Sequence, residues 1–379
     1  MSKLAEIIKE SGGLIQTGPF GSQLKQAEYT EQGVPVVMPK DIIDGRISTG
    51  TIARISETKS EQLSRHALTQ GTIVFPRRGD IGKCALVSAS EEGFLCGTGC
   101  IKIEPPKKRL NPHFLYYYLI QPHVTEWLER NAVGSTMLNL NTEIIGRIEI
   151  PEIPLPVQDS LVEIIVNYDS LIENNRRRIH LLEESARLLY QEWFVHLRFP
   201  GHEQVKIIND VPEGWEKKTL KKIATLNYGK ALKAEVRVPG PFPVYGSSGE
   251  VGFHDKALVK GPGIVVGRKG NVGSVYWVNT DFYPIDTVYF VSAEESSLFL
   301  YHALQHVQFI NTDVAVPGLN RDMAYSREIL IPDDRNYQRF LSEVKPIQEQ
   351  VNKLQDYNNK LVQARDLLLP KLMSGELTV

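Results

Sequence analysis

The chain is poor in cysteine, in long apolar runs and in net charge, and each shortage narrows what it can be. Its three cysteines, Cys84, Cys96 and Cys100, are too few for a disulfide framework. Without an export signal they point to reduced thiols in a cytoplasm, and Cys96 and Cys100 are too isolated for a zinc site. No run approaches the ~18 apolar residues of a membrane-spanning helix. The opening string MSKLAEIIKESGG lacks the apolar core and small-residue cleavage site of a signal peptide. Net charge is -2. A protein that grips nucleic acid alone usually carries basic excess, so any such role here leans on partners. The positive charge is local, in clusters such as Arg77-Arg78, Arg176-Arg177-Arg178 and Arg268-Lys269.

Catalytic motifs are also missing. There is no GxxxxGK[ST] phosphate loop. The turn that holds a target amine in amino-methyltransferases needs two prolines, and Asn111-Pro112-His113-Phe114 has one. Gly97-Thr98-Gly99 is too short for a nucleotide-binding loop. Pro332-Asp333 with Glu343-Val344-Lys345 matches a metal-dependent nuclease on paper. Val344, however, falls on a helical seam, and Asp333 reads better as a helix cap. His302 and His306 share a helix face without the glutamate of a zinc protease. No metal, cofactor or catalytic residue is expected.

What is present is written twice. PRRGDIG (76–82) matches GRKGNVG (267–273), with Arg77 opposite Arg268. Each copy lies between apolar runs, TIVF and CALV in one, IVV and SVYWV in the other, and reads as strand, basic glycine turn, strand. Upstream, QTG ending at Gly18 matches NYG ending at Gly229. Downstream, Leu138-Asn139 is paired with Leu319-Asn320, and Ala186-Arg187 with Ala364-Arg365. The separation between copies shrinks steadily along the chain, as expected when early loops diverge on a shared scaffold.

Each copy closes in a long helical stretch with apolar residues at alternating steps of four and three, the coiled-coil period. The first begins after Pro154 and Pro156, with Asp159 as N-cap, and its seam runs from Leu161 to Trp193. The second runs from Phe340 to Leu372, and Pro346 predicts a kink or a later start. Antiparallel alignment of the midpoints puts Asn175 opposite Asn358, fixing register, and Tyr168 opposite Arg365 in a cation–π contact. Leucine at both asparagines is expected to raise the melting temperature while loosening register. About 40 helical residues span roughly 60 Å, enough to hold two readers over separate stretches of one duplex. The expected fold is α+β: two pseudo-repeated globular domains (1–156 and 201–333), each a twisted β-sheet with helices. Two long antiparallel coiled-coil-like helices (157–200 and 334–379) join them.

Several strings now resemble a known family, the specificity subunits of type I restriction-modification systems. GPFGSQLK (18–25), VPVVMPKDI (34–42) and the glycine turn at 76–82 resemble the first target recognition domain of that family. PVYGSSGEVG (243–252) with IVVGRKGNVG (264–273) resembles its commonest form. YQEWFVHLRFPGHE (190–203) and LLLPKLMSGEL (367–377) look like the ends of the family's two conserved helices. PLPVQDSLVEII departs from the family's usual Pro-rich start followed by Glu-Gln. The resemblance implies that each domain reads one half of an asymmetric two-part DNA sequence in the major groove. It implies that the paired helices space the domains and dock two modification methyltransferase subunits, which a restriction and translocation subunit joins. A stand-alone DNA-binding regulator is the rival of the same class.

Major-groove readout needs donors and acceptors on loops that a rigid sheet aims at base edges. The foremost candidates are Arg77, Arg78 and Lys83 in the first domain, and Arg268, Lys269 and Asn271 in the second. Gly18, Ser22 and Lys25 follow, with Lys230, Tyr245, Ser247 and Ser248. Lys40, Asp41, Ser135, Asn139, Asn320 and Arg321 complete the set.

Overall fold

The computed structural model describes all residues except 135–137, 310–317, 375 and 378–379, and Ser135 therefore lies outside the described residues. The chain forms two compact units, Met1–Ile172 with Lys360–Val379, and Glu173–Asn359. These cuts fall inside both long helices.

In the first unit, the apolar run at 72–75 supplies the strand Ile73–Pro76, buried along its whole length. It pairs antiparallel with Cys100–Glu104 and Ala85–Leu86, and Leu14–Thr17 flanks Cys100–Glu104. A second sheet orders Leu95–Cys96, Val34–Val37, Ala53–Ile55 and Tyr29–Thr30, its first pair parallel. The Asn111 string is a helix start. Asn111 Oδ1 accepts from His113 N (2.8 Å) and Phe114 N (3.2 Å), and Pro112 opens the helix Pro112–Leu119. All three cysteines are buried and free, and burial pushes the Cys96 thiol up to about 12.

The second unit repeats the plan. Asn227–Tyr228, Val288–Val291, Gly263–Gly267 and Val275–Val278 form a four-stranded antiparallel sheet in the corresponding order. Gly249–His254, Phe242–Gly246 and Tyr283–Pro284 form a smaller sheet, its last pair again parallel.

Backbone hydrogen bonds fix the correspondence residue by residue. Leu4 N donates to Ile148 O as Leu220 N does to Arg327 O, both at 2.8 Å. Leu140 N reaches Arg77 O (2.9 Å) as Leu319 N reaches Arg268 O (2.7 Å). That corrects one pairing: the partner of Leu319-Asn320 is Leu140-Asn141, not Leu138-Asn139. The string LNLN offers the same dipeptide twice, and only the bond to the arginine carbonyl separates them.

The long helices span Leu155–Tyr190, continued by a π turn over Gln191–Val195, and Asp334–Met373. Every residue of the two expected seams is buried or half-buried. In the second unit, Asn175 Nδ2 donates to Asn358 Oδ1 at 3.0 Å, and Tyr190 meets Phe340 with ring centres 5.9 Å apart. The pairing there is antiparallel.

Three details differ from expectation. Asp159 is not the N-cap: the helix starts at Leu155 with Pro156 in its first turn, where no N–H is needed, and Asp159 accepts from Asn111 Nδ2 (2.7 Å). Pro346 neither stops nor delays the second helix, because its ring is exposed while Val344 and Ile347 hold the seam. Arg365 does not lie over Tyr168. Its guanidinium reaches Asp169 Oδ1 (2.6 Å), while Tyr117 OH donates to the other oxygen, Oδ2, since a full charge outbids a ring face. Asp333 is the cap of the second helix, accepting from Asn336 N (2.9 Å) and Trp215 Nε1 (2.8 Å). Glu343 and Lys345 stand exposed on that helix, so no nuclease strand exists there.

His302 and His306 pack against Tyr190 in the aromatic core of the second unit. Burial pulls His302 down to about 4. A histidine held below its ordinary 6.5 stabilises the fold above that value, and the contribution is lost as pH falls toward 4. The expected loss across that window is about 3 kcal/mol. Urea titrations between pH 7 and 4 should show it, and His302→Gln should flatten the profile; an unchanged slope would remove the argument.

Candidate nucleic-acid interface

In each unit, one end of the four-stranded sheet collects the basic glycine turn and its neighbours. In the first, Thr17 pairs with Ile101 and Pro76 with Cys100, so Gly18, Arg77 and Gly99 emerge side by side. Gly18 N donates to Cys100 O (2.9 Å) and Arg77 N to Gly99 O (2.7 Å). Gly79 sits at φ 83°, the left-handed region that a tight turn demands. Arg78 is exposed and bridges to Asn139 through the backbone. Arg77 is half-buried, and its Nε, like Asn139 Oδ1, is buried without a hydrogen-bond partner.

Around that end, Ser22, Lys25 and Lys40 are exposed. Lys83 is exposed as well, but its ammonium is shared with Asp80 at 2.7 Å. Asp41 is a correction. It is 2% exposed, and its carboxylate accepts Met38 N (2.9 Å) to close its own turn, so it presents nothing to a duplex. Phe20, which the sequence did not single out, stands 57% exposed between Gly18 and Ser22.

In the second unit, Gly229 N donates to Val288 O (3.2 Å) and Arg268 N to Thr287 O (2.9 Å), repeating the arrangement. Gly270 takes φ 78° as Gly79 does. Lys230, Ser248, Lys269 and Asn271 are exposed. Tyr245 and Ser247 turn inward. Tyr245 packs on Tyr276 and Phe282, and burial pushes its hydroxyl up to about 12. Ser247, just past the strand, is buried against the glycine turn, its carbonyl accepting Ser274 Oγ (2.6 Å). Asn320 Oδ1 accepts Asp322 N (2.8 Å) and caps a short helix, the role Asn141 plays in the first unit.

Arg268 and Arg321 meet on a residue the sequence reading passed over. The guanidinium carbons lie 5.4 Å and 4.9 Å from the ring centre of Tyr228, which is 51% exposed. Arg268 also faces Tyr289 (5.8 Å) and Arg321 faces Tyr325 (5.9 Å). Burial and a hydrogen bond to Tyr228 push the Tyr289 hydroxyl up to about 12, while the two arginines pull the other way. The only sequence signal was Tyr228 inside the repeated NYG string.

Two exposed basic turns on a duplicated sheet are suited to phosphate and base-edge contact. The type I restriction modification DNA specificity domain matches twice, over residues 15–184 and 212–358. The chain belongs to that family. It is the DNA sequence-recognition component of a type I restriction-modification complex and not its catalyst. The MjaIX specificity subunit of Methanocaldococcus jannaschii is 26% identical over 98% of this chain and 93% of that protein. The HindI specificity subunit of Haemophilus influenzae is 19% identical over 89% and 93%. Among solved structures, the S subunit from M. genitalium aligns over 98% of this chain and 95% of that one, with a TM-score of 0.57 at 18% identity. That last likeness supports the fold: two specificity domains with sheets, and long helices closing each. No helix among the described residues is long and apolar enough to cross a membrane.

Proposed function

We propose that each unit reads one half of a two-part DNA sequence through the sheet end that carries its basic glycine turn. The single observation behind this reading is the duplication, which gives one chain two equivalent presentation surfaces. The long helices set the separation between half-sites and dock two methyltransferase subunits, which a restriction and translocation subunit joins. A net charge of -2 fits a reader whose partners supply part of the grip on phosphate. Leu181 and Leu188, seven residues apart and exposed on the first helix, offer apolar surface to such a partner. Buried, unpaired thiols suit work in the cytoplasm.

Methylation mapping of the genome with and without this gene tests the reading. Loss of one bipartite methylated motif is expected, and an unchanged map would overturn it. Arg268→Ala should weaken DNA binding by the assembled complex while leaving methyltransferase co-elution intact. Lost assembly with normal binding would make the turn structural only.

A further inference from the structure

The duplicated features cannot distinguish one half-site from the other. Both units carry the same turn, the same backbone bonds to the neighbouring strand and the same asparagine-capped helix. Any difference in what the units read must come from residues that one unit has and the other lacks. Within the turn they are Lys269 for Arg78 and Asn271 for Asp80, and beside it the hydrogen-bond correspondence identifies two more. Arg321, one residue after the cap, corresponds to Thr142; Tyr228, one residue before Gly229, corresponds to Thr17. The stacked arginine–tyrosine cluster belongs to the second unit alone.

Within the cluster the two arginines are not equivalent. Arg268 Nη2 donates to Asp286 O (2.9 Å) and its Nε is buried without a partner, so neither of these donors is offered to a base edge. Arg321 is half-exposed, and among the described residues its guanidinium has neither a hydrogen-bond acceptor nor a carboxylate partner. It lies between the rings of Tyr228 and Tyr325, and Tyr325 is itself fixed by accepting Leu226 N (2.9 Å). Two aromatic faces restrain the guanidinium plane while leaving its donors unused. That is the pre-organisation a bidentate contact needs, and guanine presents the matching pair of acceptors, O6 and N7, in the major groove.

We propose that Arg321 reads a guanine in the half-site of the second unit, with Tyr228 and Arg268 as positioning residues. This rests on the reading above that each unit contacts one half-site. The shared glycine turns then supply sequence-independent contact, and the unshared cluster supplies discrimination.

The test uses the complex with its methyltransferase and the motif found by methylation mapping. Binding is measured on duplexes in which each base pair of both half-sites is changed in turn. Wild type should lose roughly 10- to 100-fold at one guanine of the second half-site. Replacing that guanine by 7-deazaguanine, which lacks the N7 acceptor, should weaken wild type and leave Arg321→Ala unaffected. Arg321→Lys should also lose discrimination, since an ammonium keeps the charge but not the fork. Tyr228→Leu should blunt discrimination at the same position only. Unchanged melting temperatures for these variants establish that the unit is folded.

An even loss over all duplexes with a salt slope reduced by about one makes Arg321 a phosphate contact and overturns the proposal. So does a second half-site without guanine, or an Arg321→Ala profile identical to wild type. A wild-type complex that shows no base preference anywhere in that half removes the half-site reading itself. That result is distinct from a failure at Arg321 alone.

Discussion

Alanine at Gly229 is expected to destabilise the second unit by about 3 kcal/mol or more and to abolish DNA binding through it. A Cβ there would stand 2.0 Å from Ile285 O and 2.7 Å from Pro284 O, and a backbone carbonyl cannot swing aside as a side chain can. No left-handed backbone is involved, so the cost is purely steric. Gly18 has the same geometry in the first unit, its Cβ falling 1.8 Å from Gly97 O. Both glycines let two chain segments cross directly beneath the basic turn. Gly21→Ala is the control, since nothing lies within 4 Å of a Cβ at that position. The readout is thermal melting beside DNA affinity. Gly18→Ala and Gly229→Ala should each lower the transition by about 5–10 °C, with Gly21→Ala near wild type. If all three melt alike, the crossing beneath the turns is not as close as described.

These glycines also show why parts of the molecule were legible before any coordinates. QTG and NYG look trivial as strings, but they fall in the same order relative to better matches, and the crossing explains why glycine stands at both. The heptad seams were equally readable, because period alone decides which face of a helix is covered. Side-chain partners were harder. Period placed Arg365 near Tyr168, yet a carboxylate one residue along the helix captured it. Tyr245 and Ser247 carry types suited to base contact, but the packing of Tyr245 on Tyr276 and Phe282 and of Ser247 against Ser274 decides their direction, and those partners lie 27 or more residues away in sequence. The Tyr228 cluster gathers residues from three separated strings, so no local pattern announced it. The doubled LNLN dipeptide misaligned one pairing, since identity between copies cannot choose between two equal matches.

Phe340 joins seam and core, and its removal should cost the second unit about 3–5 kcal/mol. The residue is fully buried where the second helix meets the end of the first. Its ring lies 5.0 Å from Phe194, 5.9 Å from Tyr190 and Trp193, and 6.2 Å from Phe299, mostly edge to face. Trp193 and Phe194 sit in the π turn Gln191–Val195, whose extra residue brings both rings into one core. Phe340→Ala leaves a hole among rigid rings that cannot collapse inward, which places the cost at the upper part of the range. Phe340→Leu refills part of that volume and should cost less than half as much. Leu367→Ala, on an exposed position of the same helix, should be neutral. Urea unfolding followed by tryptophan fluorescence reports directly, because Trp193 and Trp215 belong to the same cluster. If the paired helices dock the methyltransferase, Phe340→Ala should lose co-elution at urea concentrations where wild type retains it. A stability change under 1 kcal/mol would mean that the two helices are held elsewhere and that this cluster is not their clamp.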